Sequence, residues 1–219
     1  MLAIACAAAV AGAVAAGRAQ PTARPRGVVP PAARGAYRID AAKSRLIIET
    51  ETSGLSSMFG HDHKLAAGEM WGTADVAPDN LTAASLEVTV KAASLHVADE
   101  KTTGERQAVE AALREDVLET RKYPDITFKT AAVAVASERR SDGTYVVRLT
   151  GELALHGVKQ RVIIPARVSL QGGTLRAIGL FEIRQTDFQI TPFSFVKGTV
   201  TIKDTVTISF EIIATRPPP

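Results

Sequence analysis

The densest group of side chains able to do chemistry is His61-Asp62-His63, and His156 stands alone farther along the chain. In an extended segment, alternate residues point to the same side, so His61 and His63 could join His156 as three imidazole ligands of a zinc-like ion. The alternative is that this loop forms hydrogen bonds with its own turns. Residue spacing alone leaves both interpretations open.

Other catalytic patterns are missing from the sequence. Glu152 and Asp187 are candidate acids or bases, but no second carboxylate lies near either one in sequence, and pairing with arginine is favoured. The chain contains no phosphate loop, dinucleotide fingerprint, nucleophile elbow or cysteine-based metal spacing. We therefore expect no cofactor and favour a protein that is not an enzyme.

The first 19 residues have the pattern of a signal peptide. Leu2 to Ala16 is an uncharged apolar run, too short to span a bilayer comfortably, and small residues at Gly17 and Ala19 predict cleavage after Ala19. Cys6, the only cysteine, lies within this segment. The mature chain is therefore expected to lack thiols and to be periplasmic or secreted.

Residues 20–35 are rich in proline and arginine, which predicts a disordered linker before a folded domain at 36–215. The linker arginines could make transient contact with an anionic membrane or simply be solvated. The 219-residue chain has a net charge of +3, but four basic residues and no acidic ones precede Gly35. Because the rest is nearly neutral and only 5% of the chain is aromatic, nucleic-acid binding is not supported.

The element with the clearest pattern is a long antiparallel hairpin between Tyr145 and Leu170. Apolar residues or glycine recur at every second position up to Leu155, and the alternation resumes after His156-Gly157. Strands of this length exceed the usual five or six residues, so the sheet must twist, curl or close.

A single amphipathic helix is predicted between Thr103 and Glu119. Thr102 and Glu105 have the spacing of a capping box. Val109, Leu113 and Val117 recur at helical intervals and form the apolar stripe that we expect to face a sheet.

Shorter alternating segments, together with the hairpin, predict about eight strands. Their apolar positions either line a ligand cavity or fill the core. The positions predicted to face inward and bind a ligand are Leu46, Ile48, Trp71, Val88, Phe128, Leu149, Leu153, Ile164, Val168, Phe181 and Phe210.

Several motifs, taken in order, resemble the YceI-like, polyisoprenoid-binding family. The matching segments are Tyr37-Arg38-Ile39-Asp40 with Ser44, Phe59-Gly60-His61-Asp62-His63, Val117-Leu118-Glu119-Thr120 with Tyr123-Pro124-Asp125-Ile126-Thr127-Phe128, Gly151 to Val158, Arg184 to Phe188, and Val200 to Asp204. The chain departs from the family pattern at Lys43, Gln160 and Gln189.

This resemblance implies an all-β fold, a lipocalin-like eight-stranded antiparallel barrel with one amphipathic helix. It also implies non-enzymatic binding, sequestration or transport of an isoprenoid or another long-chain lipid in the periplasm. Two alternatives stay open, namely a metal-dependent enzyme using His61, His63 and His156, and a secreted barrel that serves as a protein-interaction module.

Overall fold

The structure, a computed structural model, describes residues 35–53, 63–99, 102–137, 140–195 and 200–217. The predicted signal peptide, nearly all of the predicted linker, and His61 and Asp62 lie outside these residues. The strands are β1 (Gly35–Ile39), β2 (Arg45–Ser53), β3 (His63–Ala67), β4 (Met70–Ala77), β5 (Asn80–Lys91), β6 (Leu95–Val97), β7 (Asp125–Ser137), β8 (Thr144–Leu155), β9 (Val158–Gln171), β10 (Thr174–Arg184), β11 (Ser194–Phe195) and β12 (Val200–Thr215).

The sheet closes on itself because β1 pairs with β12 as well as with β4. The closed ring runs β1-β4-β5-β7-β8-β9-β10-β12, and every neighbouring pair is antiparallel. This ring is an eight-stranded antiparallel barrel, which confirms the predicted fold class. Closure gives each strand of the ring a partner on both sides, so the ring has no free edge.

At three positions the barrel wall is made of two strands that are consecutive in the chain, namely β1 with β2, β3 with β4, and β5 with β6. This follows because the pairing order β12-β2-β3-β6 repeats the order β12-β1-β4-β5. The break between β1 and β2 is held by Ser44, a buried residue. Its hydroxyl accepts a hydrogen bond from the Ile213 N–H at 3.0 Å and donates one to the Asp40 carbonyl oxygen at 2.8 Å. The serine hydroxyl therefore gives the Ile213 N–H a hydrogen-bond partner where the strand is interrupted.

The predicted hairpin is confirmed as β8 and β9, which pair from Thr144 opposite Ser169 to Leu155 opposite Val158. The two-residue turn consists of His156 and Gly157, whose φ angles are 52° and 76°. Positive φ at both positions is the requirement of the type I′ turn that joins twisted strands. Inward side chains alternate with outward ones along both strands, as the two-residue period predicted.

The predicted helix is α-helical over a shorter range. Helix α1 spans Thr103–Ala112, and the chain then widens into a π-helical turn at Leu113–Val117. The capping box between Thr102 and Glu105 is confirmed. In the described ranges, no helix is long and apolar enough to cross a membrane.

Candidate functional site

The barrel encloses an apolar cavity of about 240 Å³, which runs along the inward positions of its strands. In the described part of the chain, its wall is aliphatic and aromatic except at Thr50, Ser85 and Gln185. This composition cannot place charge or metal ligands around a bound molecule, but it can remove an apolar one from water.

Nearly all the side chains predicted to face inward lie on the cavity wall. These are Leu46, Ile48, Val88, Phe128, Leu149, Leu153, Ile164, Val168, Phe181 and Phe210. Many further wall positions share the alternation and could have been found by the same signal, among them Val147, Ile183 and Ile208. The ligand-binding role of all these residues stays a prediction.

Trp71 is the exception, and its predicted inward position is wrong. Its side chain lies on the outer face of β4 and is 49% exposed. Leu65 on β3 faces inward, so an uninterrupted strand would also have turned Trp71 inward. The break at Gly68-Glu69 reverses this alternation, so that Met70, rather than its neighbour Trp71, is buried.

The π-helical turn supplies part of the cavity wall that strand patterns could not reveal. Leu113 and Val117 lie on the cavity together with Leu118, which follows the turn. Val109 was predicted to share their packing face but does not line the cavity, and α1 itself has no buried residue. The apolar stripe therefore meets the barrel at its last turn rather than along its whole length.

Two glycines make room for the aromatic rings of the interior. A Cβ atom on Gly151 would collide with the Phe128 ring, and one on Gly179 would collide with the Phe210 ring. Phe210 in turn meets Phe181 edge to face, with ring centroids 6.4 Å apart. The strand backbones therefore approach these rings more closely than any side chain would allow.

A polar corner forms where the β8–β9 turn meets the segment after the π-helical turn. His156 Nδ1 lies 3.2 Å from the Phe188 carbonyl oxygen, which can only accept, so this nitrogen carries the proton. His156 Nε2 is buried and lies 3.7 Å from Glu119 Oε1. The Tyr123 ring packs edge-on against the imidazole at 4.5 Å.

Three residues other than glycine adopt positive φ in the described chain, and all three belong to this corner. They are Glu119 at 44°, His156 at 52° and Gln189, next to Phe188, at 58°. Left-handed backbone is uncommon for side chains with a Cβ atom and persists where the surroundings enforce it. Glu119 carried no sequence signal for this conformation, and Gln189 was noted only as a departure from the family pattern, so the corner was missed.

The predicted metal ligands are not brought together by the described residues. His61 lies outside them, His63 Nδ1 is 3.6 Å from Asp99 Oδ2, and His156 has Glu119 as its acidic neighbour. Within the described ranges, no group of three or more His, Cys, Asp or Glu could hold a metal ion.

The two candidate acid–base carboxylates form ion pairs at the surface. Glu152 lies 2.8 Å from Lys159 Nζ, and Asp187 lies 2.7 Å from Arg184. The hydrogen bond to Asp187 is the main reason that the pKa of Arg184 is raised. Neither carboxylate lines the cavity, so their geometry is that of structural charges.

Comparisons with known proteins agree on the fold. The family model described as YceI-like domain matches residues 37–214. The crystal structure of Burkholderia cenocepacia BcnA aligns with a TM-score of 0.64 at 21% identity, covering 81% of this chain and 99% of that chain. A polyisoprenoid binding domain from Saccharophagus degradans, implicated in plant cell wall breakdown, aligns with a TM-score of 0.60 at 16% identity, covering 84% and 99%.

The YCEI protein of Campylobacter jejuni aligns with a TM-score of 0.54 at 20% identity, covering 70% of this chain and 85% of that chain. No curated protein matches the chain. At these identities, the solved structures establish a shared barrel architecture.

Proposed function

The chain belongs to the YceI-like domain family, and from this premise we propose that it binds an isoprenoid or similar long apolar lipid inside its barrel. The proposed role is sequestration or transport without catalysis. The choice of lipid is supported by the Saccharophagus degradans relative, which is described as a polyisoprenoid binding domain.

The apolar cavity is the single observation that carries the proposal. Its wall contains no charged side chain among the described residues, so it favours hydrocarbon over polar metabolites. At roughly 25 cal/mol per Å² of apolar surface removed from water, burial of about 400 Å² of ligand contributes on the order of 10 kcal/mol before association costs. Binding of this kind requires few polar contacts.

We further propose that the protein works in the periplasm or outside the cell, on the basis of the apolar run from Leu2 to Ala16 and the small residues after it. Exported protein should then have the intact mass of a chain that starts at Gln20. Recovery of the exported protein with Met1 still attached would refute cleavage at this position.

Native mass spectrometry followed by organic extraction separates this function from its two alternatives. A co-purified prenyl lipid is the expected result. A stoichiometric metal ion would instead favour the metal-dependent enzyme, and a barrel with neither would favour a protein-interaction module.

Substitutions inside the barrel test where the lipid binds. Leu153 and Val168 are both buried on the cavity wall, so Leu153→Trp and Val168→Trp should each occupy ligand space and reduce lipid uptake. Glu152→Trp is the matched control, because Glu152 lies beside Leu153 on the exposed face. Circular dichroism would establish that each variant folds. Undiminished prenyl-lipid binding by both folded inward variants would place the ligand elsewhere.

A further inference from the structure

The outer surface of the barrel carries an apolar groove that ligand binding in the interior does not use. It crosses β8, β9, β10, β12 and β2, and the apolar residues that line it are Ile47, Val146, Pro165, Ala166, Ile178, Leu180 and Phe210. Cross-strand register places Val146 opposite Arg167 and Ile178 opposite Glu211, so the groove is continuous over neighbouring strands.

Aliphatic side chains are unusually exposed on this face. Leu180 in the groove is 54% exposed, and Ile163, two residues from Pro165 on the same face of β9, is 62% exposed. An apolar patch of this kind marks a surface that contacts another apolar phase or molecule.

Arginines surround the apolar groove. Arg45 and Arg167 line it, Arg148 lies opposite Pro165, and Arg161 is two residues from Ile163 on the same side of β9. All four are exposed, and none forms an ion pair with another described residue. Glu211, the acidic residue of the groove, is neutralised by Arg176 at 2.8 Å.

This combination fits an anionic membrane surface. An arginine side chain can lay its methylene groups along apolar surface while its guanidinium binds phosphate, and exposed aliphatic groups gain by entering the interfacial layer of lipid. A second copy of the chain fits less well, because face-to-face pairing would bring the four unpaired arginines of each copy together.

We propose that this Arg-rimmed face, defined by Arg45, Arg148, Arg161 and Arg167 around Ile163 and Leu180, docks the barrel on an anionic phospholipid bilayer. The contact is peripheral. None of the residues that define this face lines the interior cavity, so loss of docking and loss of interior binding are separable results.

Vesicle flotation of the full chain tests the charged part of the face, with phosphatidylcholine vesicles compared with vesicles that also contain phosphatidylglycerol. Each arginine near an anionic surface contributes on the order of a fivefold gain in binding. The double variant Arg148→Gln/Arg167→Gln should therefore bind the anionic vesicles about 25-fold more weakly. The matched control is Arg106→Gln/Arg121→Gln, which removes the same charge from exposed positions on and beyond α1.

The apolar part is tested with Leu180→Ser and, as control, Trp71→Ser, which removes an exposed side chain from a different strand. Weaker flotation of Leu180→Ser with parental flotation of Trp71→Ser is expected. The proposal is overturned if the parent does not float with anionic vesicles, or if either control loses as much binding as its partner variant. It is also overturned if sedimentation equilibrium shows self-association that Leu180→Ser abolishes.

Discussion

His156 connects three chain segments through one imidazole ring. Nδ1 donates to the Phe188 carbonyl oxygen, the ring packs against Tyr123, and Nε2 faces Glu119. Its own backbone is left-handed, as the two-residue turn requires. His156, which the sequence suggested as a possible metal ligand, therefore holds the β8–β9 turn against two neighbouring chain segments.

His156→Ala should lower the free energy of unfolding by about 1–3 kcal/mol. The substitution removes one hydrogen bond, worth roughly 1 kcal/mol, and the ring contact with Tyr123, worth about 0.5–1.5 kcal/mol. Urea denaturation measures the change. His156→Asn is the control, because asparagine tolerates positive φ but lacks the imidazole ring, so an equal loss in His156→Asn would assign the effect to the ring and its hydrogen bond rather than to the backbone. A denaturation midpoint for His156→Ala equal to that of the parent would contradict this account.

Substitution of Gly151 by a residue with a Cβ atom is predicted to destabilise the barrel for steric reasons. Gly151→Ala would drive a methyl group into the Phe128 ring and the Lys129 carbonyl oxygen, and overpacking of this kind costs about 1–3 kcal/mol. Gly104 is the matched control, because it lies in α1 and a Cβ atom added there would have no neighbouring atom within 4 Å.

Gly104→Ala should be neutral or stabilising by up to roughly 1 kcal/mol, since alanine favours helix. The melting temperatures of the two variants should therefore change in opposite directions or by clearly different amounts. Equal melting temperatures would show that the barrel wall relaxes around the added methyl group.

At the scale of elements, the sequence was informative wherever one regular period persisted. The two-residue alternation predicted β8 and β9 with their turn, and the capping box predicted the start of α1. The interruption at Gly68-Glu69 was missed, because a glycine within a strand pattern is compatible with a bulge or a close backbone approach as well as with a break that turns Trp71 outward. The π-helical turn was also not predicted, because the apolar residues continue at helical spacing through Val117 and do not show where the α-helix ends.

Leu113 should contribute more to stability than the other residues of its stripe. It lines the cavity and packs on the core, whereas Val109, one turn earlier, does neither. Leu113→Ala should cost about 1–2 kcal/mol, less than the range for full burial because Leu113 is only half-buried. Val109→Ala should change stability by less than about 0.5 kcal/mol. Equal shifts in the denaturation midpoint would mean that the whole helix face packs on the barrel.

For the molecule as a whole, the family motifs predicted the correct barrel architecture, but they could not predict the volume of the cavity inside it. Free volume is a small difference between the volume the strands enclose and the volume their side chains fill. Phe181 and Phe210 point into that space, and the shift of either ring would change it substantially. The inward residues were predictable from alternation, whereas the size of the cavity was not.

The cavity volume leads to a prediction about lipid chain length. The cavity is bounded by the side chains of its wall, so it can bury only a limited length of hydrocarbon. Each buried methylene contributes about 0.8 kcal/mol, or roughly fourfold in affinity. Affinity for a series of prenyl or alkyl chains should therefore rise steeply with chain length until the cavity is filled and then level off.

Phe181→Ala should extend the steep part of the series to longer chains, since it removes a ring from the cavity wall. Arg148→Ala, which shortens an exposed side chain on the outer face of β8, is the control and should leave the break in the series unchanged. Isothermal titration with chains of increasing length, presented in detergent below micelle formation, measures both. A parent series that keeps rising fourfold per methylene with no break would mean that the wall rearranges freely. A break that stays in place in Phe181→Ala would mean that the chain binds outside the cavity.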